Sequence, residues 1–183
     1  GNIEIPYTGY ALESDKDSVT VAEISSFQLE NMVTFKPHVT AILNITPDHL
    51  DRHKTLENYI AIKESITKNQ DENDFCVLNY NDPVLREFGK TPRCKVIFFS
   101  SSEELESGVF LRGDTMIIKE NGVETPVCTT KDTSLVGMHN YENIMAAIAM
   151  THAMGVPLDT IRQGIKEFTA VEHRIEFVAE KNG

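Results

Sequence analysis

The sequence predicts an α/β fold: a mostly parallel β-sheet flanked by helices, with a small antiparallel β subdomain attached. Three observations predict it. Largely apolar runs at 39–45, 75–78 and 95–99 read as strands, the first buried on both faces. A helical stretch at 56–67 separates the first two of these runs, the spacing of a parallel strand–helix–strand crossover. Asn121-Gly122 lies between short apolar runs and signals a two-residue hairpin, because both residues tolerate positive φ.

Taken in order, residues 19–24 alternate into a short apolar run and are expected to form the first strand. The run at 39–45 gives the second, and the helix at 56–67 follows it. The third and fourth strands come at 75–78 and 95–99. Residues 108–129 carry Val109-Phe110-Leu111 and Met116-Ile117-Ile118 around Arg112-Gly113-Asp114, and predict the small antiparallel sheet, within about 100–130. Residues 138–154 are rich in Ala and Met and end at Gly155 with Pro157 beyond, as a helix with a C-terminal stop does. Leu158, Ile161, Ile165 and Phe168 fall on one face of a last helix. There is no internal repeat and no low-complexity tract.

The chain has 183 residues, 40% hydrophobic and 25% charged, enough for one sizeable core but short for two full domains. A net charge of -11 argues against nucleic-acid and membrane-surface partners, both polyanionic. Cys76, Cys94 and Cys128 are odd in number and form no C-x-x-C pair, which fits neither a disulfide framework nor a zinc site. With no membrane-length apolar stretch and no signal peptide, a cytoplasmic location is expected. The start at Gly1 without Met, and an ending at 176–180 that reads as a strand cut short, suggest a piece of a longer protein.

Four clusters could carry chemistry. The first is Glu23-Ile24-Ser25-Ser26-Phe27-Gln28-Leu29-Glu30, with Glu23 expected at the carboxyl end of a strand. Ligands bind there in open parallel sheets, and a carboxylate can hold Mg²⁺; the plain alternative is a solvated acid. The second, residues 44–53, follows a buried strand and contains Asp48, His49, Asp51, Arg52 and His53. His49 and His53 have the spacing of a helical zinc pair but lack the Glu of H-E-x-x-H. One His as a ligand or phosphate contact is the better reading than two, and His53 could simply be solvated. The third is Lys63, near the middle of the face made by Leu56, Tyr59, Ile60, Ile62 and Ile66. It is either a reactive amine able to capture carbon dioxide as a carbamate, or a snorkelling lysine. The fourth is Gly137-Met138-His139-Asn140-Tyr141-Glu142-Asn143, where Asn140 and Asn143 project from one side of a first helical turn. Their amides could read an adenine edge, or Asn140 could be an ordinary N-cap. Gly89-Lys90-Thr91 imitates the end of a phosphate-binding loop, but Val84 stands where the loop needs glycine and Pro92 obstructs the following helix.

Together, residues 23–30, 44–52 and 137–143 and Glu172-His173-Arg174 resemble the central ATP-binding domain of the Mur ligase family. The string from Ser25 to Glu30 resembles its D-glutamate-adding branch. The resemblance covers nearly the whole chain and implies an ATP-dependent amide ligase of peptidoglycan synthesis, with UDP-N-acetylmuramoyl-L-alanine and D-glutamate as substrates. It implies that Glu23 and His49 bind Mg²⁺ and that Lys63, carbamylated, supports a second metal ion. Lys63 and His49 would then serve catalysis, Asn140, Asn143 and Arg174 would contact ATP, and Asn2 and Ser25 would touch the muramoyl-alanine substrate. It further implies that residues 1–173 are part of the central domain and that 174–183 begin a C-terminal one. Glu4 departs from the family's Gly-Asn-Ile-Gly pattern, and the family's phosphate-binding loop is expected before Gly1. The 183-residue piece is therefore expected to be inactive alone and could self-associate through an unpaired sheet edge, whereas the parent is expected to be a monomer. The competing readings are a sister Mur or folylpolyglutamate-type ligase, a metal-dependent hydrolase built on Asp48, His49 and His53, and a non-catalytic module.

Overall fold

The structure is a computed structural model and describes residues 7–10 and 12–169. Six strands form one sheet in the order β1-β2-β3-β4-β5-β6. They are β1 Val39–Ile42, β2 Phe75–Asn79, β3 Lys95–Ser100, β4 Gly108–Arg112, β5 Thr115–Glu120 and β6 Val123–Thr129. The first four run parallel, with Cys76 opposite Thr40 and Val96; β4, β5 and β6 are antiparallel. The antiparallel part is thus no separate sheet. It continues the main one, because β4 pairs in parallel with β3 through Phe99–Val109 and Ser100–Phe110.

Successive side chains of β2 enter opposite layers, which is why its run is apolar throughout. Val77 joins Phe99, Val109, Met116, Ile118, Met145 and Ile148 on one face. Cys76 and Leu78 join Ile42, Leu85 and Phe88 on the other. The first face is covered by α5 (Met138–Ala153) and α6 (Leu158–Glu167), the second by α4 (Pro83–Phe88). In α6, Ile161 is buried, while Phe168 caps the helix and is 51% exposed.

The β5–β6 loop is Asn121-Gly122, with φ of 52° and 78°, the mirror-image turn that matches strand twist. Pro126 stands in β6, an edge strand, where a missing amide is tolerated. Gly108 opens β4 at φ 126°, and a Cβ there would lie 2.2 Å from the Phe98 carbonyl oxygen.

The expected strand at 19–24 does not form. These residues belong to no strand, and Val21 is 89% exposed. Alternation alone makes no strand without ladder hydrogen bonds, and among the described residues β1 is paired only to β2. The helix at 56–67 is α3 (Leu56–Glu64) continued by a tighter turn at Ser65–Thr67. Of its expected apolar face only Tyr59 is fully buried. Asn2, Glu172, His173 and Arg174 lie outside the described residues.

Candidate functional site

The carboxyl ends of β1, β2 and β3 lie side by side, and polar residues follow each strand. After β1, residues 43–49 lead into α2 (Leu50–His53), with His49 at its start in the left-handed region at φ 52°. The His49 amide donates to Asp48 Oδ1 at 2.8 Å, and His49 Nε2 lies 3.3 Å from Asp48 Oδ2. Its ring is exposed and tilts against Phe27, with centroids 4.9 Å apart.

Phe27 belongs to α1 (Ser26–Leu29), a single turn closed by a capping box. The Gln28 amide donates to Ser25 Oγ, and the Ser25 amide donates to Gln28 Oε1 at 2.9 Å. The Ser25 hydroxyl that the resemblance assigned to substrate thus also holds its own helix. The S-x-x-Q spacing was the signal in the sequence for this turn.

His53 corrects an expectation. It is buried rather than solvated, with Nε2 3.0 Å from Ser26 Oγ. Its Nδ1 faces Glu30 Oε1 at 3.4 Å, near enough for charge pairing but outside hydrogen-bond geometry. The ring stacks on Phe27 and tilts against Tyr59. Arg52 pairs with Glu30 at 2.6 Å and lies over the Phe27 ring. The Arg52 guanidinium holds the Glu30 carboxyl below its ordinary range. Lys63 is half-buried, and its Nζ sits 5.2 Å from the centroid of the Tyr59 ring. It is therefore not sealed in the middle of an apolar face. These contacts join α1 to the helices carrying His49 and Lys63.

With its Nε2 on Ser26, His53 does not turn toward His49 to make the zinc pair that a hydrolase would need. Among the described residues no group of three His, Cys, Asp or Glu could hold a metal ion. Glu23 is exposed and is not on a strand. Glu23 and His49 therefore offer separate exposed donors, not a cage. Of the two, the Glu23 carboxylate suits Mg²⁺, which takes oxygen ligands, keeps waters and shares phosphate oxygens.

The second half of the site begins at α5. Its N-cap is Gly137, so Asn140 is not the cap; its Nδ2 donates to the Val136 carbonyl at 2.8 Å. Asn143 is exposed on the same turn. Between them Glu142 Oε1 accepts from Ser101 Oγ at 2.6 Å and from Asn81 Nδ2 at 3.2 Å. Asn81 Oδ1 accepts from Ser100 Oγ at 2.7 Å and from Ser102 Oγ at 2.9 Å. Asn79 Nδ2 donates to the Leu43 carbonyl at 3.1 Å, and Asp82 Oδ2 accepts from the Ile45 amide at 2.7 Å. A hydrogen-bonded chain thus runs from the loop leading to His49, across the ends of β2 and β3, to the first turn of α5. Nothing in the sequence pattern pointed to Asn79, Asn81, Ser100, Ser101 or Glu142, whose partners lie far apart in the chain. Gly89-Lys90-Thr91 closes α4 rather than opening a helix, with the Thr91 amide donating to the Phe88 carbonyl at 2.9 Å.

The family model described as Mur ligase middle domain matches residues 1–151. A UDP-N-acetylmuramoylalanine–D-glutamate ligase of Lachnoclostridium phytofermentans is 50% identical over all of this chain and 40% of its own length. The enzyme of that name from Lachnospira eligens is 49% identical over the whole chain and 41% of its own length. The chain thus spans about 40% of the length of these relatives. Among solved structures, MurF of Acinetobacter baumannii superimposes with a TM-score of 0.61 over 79% of this chain and 32% of its own, at 21% identity. MurF of Thermotoga maritima in complex with ADP gives 0.54 over 80% of this chain and 34% of its own, at 22% identity. These two share the fold. By its family match over residues 1–151, the chain belongs to the Mur ligase family and carries that family's middle domain.

Proposed function

We propose that the chain is the middle part of an ATP-dependent ligase that joins D-glutamate to UDP-N-acetylmuramoyl-L-alanine in cytoplasmic peptidoglycan synthesis. The carrying observation is the hydrogen-bonded chain that ties the loop leading to His49 and the Asn140–Asn143 turn to one edge of the sheet. Half-identity to D-glutamate ligases over the whole chain supports the substrate choice. The ADP complex of the Thermotoga maritima relative supports a nucleotide at this fold.

In this reading ATP phosphorylates the L-alanine carboxylate to an acyl phosphate and leaves as ADP. The D-glutamate amine then attacks the acyl carbon, loses a proton and expels phosphate, forming the amide. Asn140 and Asn143 hold the adenine, joined by Arg174 from outside the described residues. Asn2 and Ser25 orient the muramoyl-alanine end. Glu23 and His49 hold Mg²⁺, and Lys63, as its carbamate, helps hold a second ion. Those ions supply charge neutralisation at the transferring phosphoryl group.

The test uses a full-length protein containing this chain, with phosphate release measured against a panel of amino acids. Release with D-glutamate and not with L-alanine, L-lysine or diaminopimelate supports the reading. Release with another amino acid and not D-glutamate assigns it to a sister ligase.

A further inference from the structure

The residue between the two asparagines is the unexplained one. Glu142 is the fifth residue of α5 and reaches away from the helix, with both of its hydrogen bonds on one oxygen. Every polar group it meets is itself committed. The Ser101 hydroxyl donates to Glu142 and accepts from Asn81 Nδ2 at 2.6 Å. The Asn81 amide uses both its hydrogens and accepts twice, so its side chain has no freedom to turn. Ser100 beneath it is fully buried and accepts from the Glu103 amide at 2.9 Å. Asn81 is anchored below by its own amide donating to Asn79 Oδ1 at 2.9 Å. A network whose amides and hydroxyls are all committed favours one arrangement, and it rigidifies what it touches.

What it touches is the first turn of α5. Successive helical residues are turned about 100° from one another. The buried Ile144, Met145 and Ile148 hold the body of α5, and any twist left to its first turn swings Asn140 and Asn143 through the same angle as Glu142. The turn has no side-chain cap, since its N-cap is Gly137. The pins on it from the strand-end loops, among the described residues, are the two bonds to Glu142.

We propose that Glu142, held by Ser101 and Asn81, is a positioning residue that sets the rotation of the α5 turn and so the aim of Asn140 and Asn143 at the nucleotide. This rests on the nucleotide reading given above. The role is geometric, so the carboxylate's charge is dispensable while its acceptor oxygen is not.

The test is ADP binding by calorimetry on the full-length protein, with the KM of the UDP-linked substrate and the melting temperature measured alongside. Glu142→Ala is expected to weaken ADP about tenfold and leave that KM unchanged. Glu142→Gln, which keeps an acceptor for Ser101 and Asn81, is expected to bind ADP within about twofold of the parent. Asn81→Ala should match Glu142→Ala, and the double variant should be no worse than either, because both remove the same clamp. Asn143→Ala separates the two levels. If it weakens ADP while Glu142→Ala does not, the positioning role is wrong and the nucleotide reading stands. If Asn143→Ala has no effect on ADP, the nucleotide reading fails and takes the positioning role with it. Equal losses in ADP and UDP-substrate binding, tracking the melting temperature across all variants, would also overturn the proposal.

Discussion

His53 Nε2 lies 3.0 Å from Ser26 Oγ, across a sequence separation of 27 residues. Both side chains are buried, and the imidazole stacks on Phe27 beside them. His53→Ala removes the stack and strands the Ser26 hydroxyl, and should destabilise the protein by about 2–4 kcal/mol. His53→Phe keeps the stack and should lose only about 1–2 kcal/mol. Urea unfolding of both variants checks the order; equal losses would mean the stack on Phe27 contributes nothing.

The Ser25 capping box makes a separable prediction. Ser25→Ala should lower stability by roughly 1 kcal/mol, while Ser25→Asp, which also caps, should recover most of it. A role confined to substrate contact would leave both variants as stable as the parent. Denaturant midpoints decide.

Gly108 and Gly122 both have positive φ but differ in their surroundings. A methyl group on Gly108 meets the Phe98 carbonyl oxygen, whereas on Gly122 it meets nothing within 4 Å. Gly108→Ala should therefore cost roughly 3 kcal/mol and Gly122→Ala about 1 kcal/mol. Thermal melts that rank them the other way would contradict the strand β4 geometry.

Acid stability should depend on Asp71. Lys36 and the Asn73 amide hold its carboxyl down at about 2, below the ordinary 3.8. A depressed carboxyl stabilises the fold above its unfolded pKa and stops doing so as pH falls through the folded one. The contribution is present above about pH 4 and fades toward pH 2. Asp74 is shifted the same way: burial opposes the shift, but the Asp71 amide, His38 and Lys36 outweigh it. Asp71→Asn should be less stable at neutral pH and lose less on acidification from pH 4 to about 2. Chemical unfolding at several pH values reads this directly.

The strands buried on both faces were legible because Val77 and Leu78 must both be apolar to enter opposite layers. The hairpin was legible because Asn121-Gly122 states its backbone conformation in its own residue types. Residues 19–24 misled because alternation records which faces could be buried, not whether a partner strand is there. The burial of His53 was not legible, since it arises from α1 folding onto α2 and α3. The same holds for Glu142, whose partners Asn81 and Ser101 come from two other loops. His49, Lys63, Asn140 and Asn143 were singled out by type and spacing, but which groups surround them came only with the fold.

As proposed, this chain supplies the middle of a D-glutamate ligase. The most direct measurement is the mass of the product made from UDP-N-acetylmuramoyl-L-alanine, ATP and D-glutamate. A full-length protein containing the chain should add one glutamyl residue, and its Lys63→Ala form and the 183-residue chain alone should add none. A full-length protein that consumes ATP with D-glutamate present but leaves the precursor's mass unchanged would contradict the claim.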